Sequence, residues 1–331
     1  MKLGWIPYWN LYPLKKEIVS HIDQRKLTFH CGHPFHVNRW LQEGKVDIAP
    51  CSSICLLTQE SFNIALPLGV ASKGEVHSVY LGAGPEHREF CYQLTKTFDS
   101  VRELFDIAYM KFGNDFRSIS KYLFQQQKES YFFSLSHEEL PPLVLSSASE
   151  TSNILLRLLI TISCGEKVYL AMVQKGQTLQ SQTMKPLKLV IGDNALKYSS
   201  LFETTYDLGK IWYDLTSLPF VFAVWQQSKK NIDESWKKSI RDLAGLAEKK
   251  MRADPHSYYP SRAFLDCFER PVALDQYWRS LHYTLKLQDM QGLLLYLCLA
   301  KELLKKPPVY STLSKLARLE NSQSSLENFS L

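Results

Sequence analysis

Over residues 1–80, short apolar runs alternate with short helical segments, and this alternation constrains the fold more than any other feature of the chain. Leu3–Pro7, Lys26–Cys31 and Val46–Pro50 read as strands. Between them, Leu14–His21 and Pro34–Gln42 have the apolar spacing of helices, the second stopping at Gly44, and Trp9–Pro13 reads as a turn. Ala65–Ser72 and Val76–Gly82 are two further strand candidates. Strands alternating with helices argue for an α/β chain with a mainly parallel sheet covered on both sides.

Residues 85–141 change character, being rich in Phe, Tyr, Gln and Lys. Helical spacing at Val101–Phe112 and Ile119–Gln127 predicts a helical insertion, closed by Pro141-Pro142. Leu143–Leu145 reads as a strand, followed by the hydroxyl-rich run Ser146–Ser152 and an apolar helix at Asn153–Ser163. Val168–Val173 and Leu187–Ile191 are read as strands, and Leu218–Trp225 as a crossover through the core. After Asn231 the pattern is helical, at Asp233–Ala253, Ser261–Phe268, Leu274–Leu287 and Gly292–Leu304, and the polar stretch Asn321–Leu331 reads as frayed.

The 331 residues suit about two domains. Two αβ blocks, with a chain that returns late, suggest two lobes around a cleft. Ligands of such sheets sit beyond the strands' carboxyl ends and at helix N-termini.

Composition excludes several classes. The balance of 39 basic and 33 acidic residues gives a net charge of +6, too mild for a nucleic-acid binder, and the late lysine pairs read as solvated helix faces. Apolar runs fall short of the roughly 20 residues a membrane span needs. The start of the chain reaches Lys15-Lys16 without the apolar core of a secretion signal. Seven cysteines without regular spacing read as reduced, mostly buried thiols, so the expected location is cytoplasmic.

Several motifs fail on spacing. His30-Cys31-Gly32-His33-Pro34-Phe35-His36 is rich in metal-ligand types, but zinc sites pair ligands two to four apart with a distant second pair. We read it as a strand end entering a helix and expect no metal. Gly82-Ala83-Gly84 begins like a dinucleotide loop, yet no glycine follows where the third is required. No Gly-x-Ser-x-Gly elbow occurs. The hydroxyls of Ser147–Ser152 suit helix capping; with free N–H groups and the helix dipole, they also suit a carboxylate cradle. Pro50-Cys51-Ser52-Ser53 has the same placement after a strand, and position alone leaves both readings open. Two such cradles facing one cleft would suit a small dicarboxylate.

Specific residues then recur in order. They run Gly4-x-x-x-Tyr8-Trp9-Asn10-x-x-Pro13-Leu14, then Gly32-x-Pro34-x-x-x-Asn38-x-x-Leu41-x-x-Gly44-x-x-Asp47-x-Ala49-Pro50-x-Ser52-Ser53. Leu66-Pro67, Gly74-x-Val76-x-Ser78-Val79, Ser149-x-Thr151-Ser152 and Ile191-Gly192-Asp193-x-Ala195-Leu196 follow. Asp207-Leu208-Gly209-x-x-Trp212 and Leu218-Pro219-Phe220-Val221-Phe222-Ala223-x-Trp225 close the series, and Tyr277, Leu281 and Tyr283 fit more loosely. Together these stretches resemble the chorismate dehydratases of the futalosine route to menaquinone. The resemblance covers about residues 1–80 and 143–225. Residues 85–141 are longer than the family's connection, Trp9 replaces an aliphatic residue, and Glu150 stands at a helix start where a small or basic residue is usual.

The resemblance implies a two-lobed, type II periplasmic-binding-protein-like fold with central mixed sheets, a cleft between the lobes and a helical C-terminal region. It implies a discontinuous lobe I (residues 1–80 plus 215–331) and a lobe II (81–214) that carries the insertion. It implies a hydro-lyase converting chorismate, a small dicarboxylate, to 3-[(1-carboxyvinyl)oxy]benzoate and water without a cofactor. Asn10 and Ser78 would be the catalytic pair, with Ser52, Ser53, Ser149, Thr151 and Ser152 binding the substrate. The alternative is a non-catalytic cytoplasmic protein of the same fold that binds a small carboxylate. Oligomeric state is not legible.

Overall fold

The structure is a computed structural model describing residues 1–59, 62–126, 135–136, 139–177, 186–227, 232–259 and 271–305. The described residues form two compact units. Unit 1 takes Met1–Lys73 and Pro219–Leu293, and unit 2 takes Gly74–Leu218 with residues 294–305.

The chain opens with β1 (Lys2–Trp5), α1 (Tyr12–His21), β2 (Thr28–Cys31), α2 (Pro34–Gln42), β3 (Ile48–Ser52), α3 (Cys55–Thr58) and β4 (Asn63–Ser72). Helix α2 spans its expected residues for local reasons. Pro34 occupies the first turn, where a missing N–H costs nothing, and His33 Nδ1 accepts the Phe35 N–H at 3.4 Å. Val37 and Leu41 supply the buried stripe, and Gly44 takes the left-handed conformation that ends it (φ 69°). The histidine-rich segment therefore is a strand end and a helix cap.

Unit 2 continues with β5 (Val79–Ala83), α4 (Arg88–Phe112), α5 (Phe116–Gln125), β6 (Leu143–Val144), α6 (Glu150–Cys164) and α7 (Glu166–Gln177). It is completed by β7 (Leu187–Ile191), α8 (Gly192–Tyr198), β8 (Thr204–Asp207) and α9 (Leu208–Thr216). Unit 1 then resumes with β9 (Phe220–Gln227), α10 (Glu234–Ala253), α11 (Pro271–Ser280) and β10 (Leu281–Thr284). Helix α12 (Leu287–Leu304) begins in unit 1 and ends in unit 2.

Both sheets are mixed, which corrects the mainly parallel sheet expected from the first eighty residues. In unit 1 the order is β10-β4-β9-β3-β1-β2. Only β1/β2 and β1/β3 are parallel; β3/β9, β4/β9 and β10/β4 are antiparallel. The cause is the returning chain: β9 inserts between β3 and β4. It enters with Phe220, Val221, Val224 and Trp225 all buried, each side chain contributing about 1.5–3 kcal/mol by leaving water. In unit 2 the order is β6-β7-β5-β8, with β6/β7 parallel and the other pairs antiparallel.

Three further readings are corrected. Val168–Val173, read as a strand, lies inside α7: Val168, Tyr169 and Met172 face the core at helical spacing, while Leu170 is exposed. Gly176 explains how closely this helix packs on β6, because a Cβ there would lie 2.1 Å from the Leu143 carbonyl oxygen. The helix read at Leu274–Leu287 instead stops at Ser280, and β10 follows. Where its register with β4 shifts, Glu248 Oε1 accepts the N–H groups of Tyr283 (2.7 Å) and Thr284 (2.5 Å). The helix expected from Val101 starts at Arg88, with Phe90, Cys91, Leu94, Val101, Phe105 and Ala108 along its buried face. Ser261–Phe268, Asn321–Leu331 and Gln127 lie outside the described residues.

Candidate functional site

In unit 1 the Trp9–Asn10 segment follows β1 and enters α1 through Pro13. Two donors from the late part of the chain hold its backbone. Trp278 Nε1 donates to the Trp9 carbonyl at 2.8 Å, and Tyr283 Oη donates to the Asn10 carbonyl at 2.6 Å. Around it, Trp9 contacts Tyr12 and Trp278, and Tyr258 meets Trp278 edge-on. Asn10 Oδ1 is buried and accepts no hydrogen bond. The Asx-turn that could have accounted for this asparagine is therefore not formed.

Ser52 ends β3, and Ser53 is the next residue. Their hydroxyls differ. Ser53 is fully buried, its Oγ donating to the Val221 carbonyl at 2.6 Å and its N–H to that of Phe222 at 3.2 Å. The Ser52 hydroxyl makes no hydrogen bond among the described residues. Its backbone is fixed all the same, because Gln226 Nε2 donates to the carbonyls of Ser52 (3.1 Å) and Cys51 (3.3 Å).

In unit 2, Ser149 caps α6: its Oγ accepts the Ser152 N–H at 3.1 Å and donates to Ser152 Oγ at 2.9 Å. Thr151 and Ser152 are buried, and the Thr151 carbonyl accepts Tyr296 Oη at 3.2 Å. Glu150 is exposed at the start of this helix, where an acid favours the dipole and stays hydrated. Ser78 is buried just before β5; its carbonyl accepts the Gly192 N–H at 2.7 Å, and its hydroxyl bonds to nothing among the described residues. The residues before it, Val76 and His77, both donate their N–H groups to the carboxylate of Asp207. Burial pushes the Asp207 carboxyl up, opposed by the backbone donors of Lys210, His77 and Val76.

Of the candidates, Asn10, Ser52 and Ser53 belong to unit 1, and Ser78, Ser149, Thr151 and Ser152 to unit 2. Sequence reasoning missed Trp278 and Asp207 as the groups that hold these segments. Asp207 carries a readable signal, an acid immediately before a helix. Unit 2 also has a cavity of about 510 Å³ lined by Phe98, Arg102, Tyr206, Asp207 and Lys210, among others, but by none of the candidates.

Among the described residues no three His, Cys, Asp or Glu side chains are grouped to hold a metal ion. Cys51, Cys55, Cys91, Cys164 and Cys298 are buried thiols that form no disulfide among the described residues. Burial pushes the Cys51 and Cys164 thiols up, and that of Cys298 to about 12, the reverse of an activated nucleophile. Gly82 in the failed dinucleotide motif is a packing residue, since a Cβ there would lie 2.5 Å from the Phe202 ring. No helix among the described residues is long and apolar enough to cross a membrane.

Solved structures with the same architecture define the class. A protein from Archaeoglobus fulgidus superposes with a TM-score of 0.54 at 10% identity, over 92% of this chain and 98% of that one. The alkanesulfonate-binding protein from Xanthomonas axonopodis pv. citri, solved with MOPS bound, gives 0.52 at 12% identity, over 93% and 94%. The fold is that of the periplasmic-binding-protein-like class. Within it, the profile described as menaquinone biosynthesis matches residues 1–131 and 119–302, so the chain belongs to the menaquinone biosynthesis family, whose work is the making of menaquinone. No curated protein matches the chain significantly.

Proposed function

We propose that the chain is a chorismate dehydratase acting in the futalosine route to menaquinone. Chorismate loses its ring hydroxyl and the neighbouring ring proton, giving 3-[(1-carboxyvinyl)oxy]benzoate and water. The C–H electron pair becomes part of the new aromatic ring, and the departing hydroxyl leaves as water with the proton. Aromatisation drives the reaction, so the protein's task is to orient the substrate, exclude water and offer fixed dipoles.

The observation that carries this reading is the buried amide oxygen of Asn10, without a partner on a backbone pinned by Tyr283. A buried acceptor left unsatisfied costs about 1–3 kcal/mol, and such a cost points to a ligand donor or to chemistry. In this reading Asn10 lies against the acidic ring carbon and orients proton removal. An amide is a poor base, so the substrate's own carboxylate shares that task. Ser78 and Ser52 offer unused hydroxyls to the substrate carboxylates. Ser149, Thr151 and Ser152 contribute the α6 start, and Ser53 shapes the strand end.

The test is to incubate the purified protein with chorismate and follow the enolpyruvyl benzoate by chromatography. Its appearance, with loss of chorismate in equal amount, is the expected result. A folded protein that forms none, but binds another small carboxylate tightly, would be a non-catalytic anion-binding protein instead.

A further inference from the structure

We propose that Asp207 is a positioning residue that sets Ser78 for a substrate carboxylate; the inference rests on the reaction proposed above. Asp207 is the N-cap of α9, with Oδ1 accepting the Lys210 N–H at 3.0 Å. A cap needs only one oxygen, and serine or asparagine would supply it. A carboxylate buried to 9% exposure is a costly way to cap a helix. The second oxygen shows what the charge is for. Oδ2 accepts the His77 N–H at 2.7 Å and the Val76 N–H at 3.0 Å.

These bonds fall where the backbone needs them. His77 adopts the left-handed conformation (φ 58°), which is unfavourable for a residue with a Cβ and persists only when its surroundings hold it. Ser78 follows directly. Its carbonyl is held by the Gly192 N–H at 2.7 Å, and Val79 then pairs with Ile191 in the sheet. Ser78 is therefore clamped before it by a carboxylate and at its own carbonyl by an amide, while its hydroxyl bonds to nothing among the described residues. A fixed backbone with an uncommitted hydroxyl is the arrangement of a preorganised donor.

The test compares Asp207→Asn and Asp207→Ser with wild type and with Ser78→Ala. Both substitutions keep a cap for α9; Asn sets an NH2 against the Val76 and His77 N–H groups, and Ser does not reach them. The first readout needs no ligand: amide exchange at Val76 and His77 should quicken at least tenfold, while the amides of α9 stay protected. The second is the Kd for chorismate by calorimetry, which should weaken about tenfold or more in each variant. In the double variant with Ser78→Ala the penalties should not multiply, because the two residues act as one unit. Unchanged exchange at Val76 and His77, or penalties that multiply, overturns the role of Asp207 even if wild type converts chorismate. A wild-type protein that neither binds nor converts chorismate overturns the functional reading instead, and Ser78's ligand with it.

Discussion

Replacing Asn10 by alanine should separate stability from activity. The side chain contributes little to the fold: Oδ1 accepts no hydrogen bond, and the two bonds that anchor the segment go to backbone carbonyls, which the substitution keeps. Removing an unsatisfied buried acceptor returns about 1–3 kcal/mol. Against this, a void the size of an amide, at about 24 cal/mol per Å³, costs less than about 1 kcal/mol. The net expectation is stability unchanged or raised by about 1–2 kcal/mol. Turnover should fall by about 10²–10³, the usual loss when one preorganised polar group is removed from a reacting centre. The assay pairs urea unfolding with chorismate turnover on the same preparation. Tyr283→Phe is the control, since losing the donor to the Asn10 carbonyl should lower both stability and turnover. A loss of more than about 1 kcal/mol in Asn10→Ala would show that the amide is tied into the fold after all. Full activity would remove Asn10 from the chemistry.

Ser53→Ala should cost about 1–2 kcal/mol in urea unfolding, because the Val221 carbonyl loses a buried donor, with ligand affinity unchanged; Ser52→Ala should do the reverse. Gly176→Ala should destabilise by more than the roughly 1 kcal/mol that alanine gains in a free helix, as the new methyl meets the Leu143 carbonyl; thermal unfolding reads this, and a raised Tm would refute the contact. Asp115 caps α5, and its hydrogen bond from Ser118 holds its carboxyl below the ordinary aspartate value. Asp115→Ala should therefore cost about 1 kcal/mol at neutral pH. The difference from wild type should vanish as pH falls below about 4 and through the folded-state value, since a lowered pKa stabilises only while the group is ionised.

What the sequence reveals depends on how far each cause lies along the chain. Helix α2 is legible because Pro34, Val37, Leu41 and Gly44 lie within one segment. The Val168–Val173 run is not, because its residues are apolar throughout and fit either period; the decision falls to Gly176 against β6. Strand β10 is hidden between two helices, and the acid that meets its N–H groups, Glu248, sits on α10. The mixed sheet of unit 1 is hidden for the same reason, since β9 pairs with strands of the opening segment. At the candidate site Asn10 and Ser78 come from resemblance. Their supports, Tyr283 and Asp207, act across the fold on backbone groups, and such contacts leave no period in a sequence.

The hydroxyls sort themselves by what the fold already asks of them. Ser53 spends its proton on Val221 and Ser149 spends its oxygen on the α6 amide, so a ligand would have to compete with bonds the fold needs. Ser52 and Ser78 are different. Each has its carbonyl held, by Gln226 and by Gly192, and each keeps a hydroxyl that bonds to nothing among the described residues. Rigid backbone lowers the entropy lost when such a group engages a carboxylate, and an unspent donor avoids breaking a bond first. On the proposed function, the hydroxyls left to bind are therefore Ser52 in unit 1 and Ser78 in unit 2, while Ser53 and Ser149 spend theirs on the backbone of their own units.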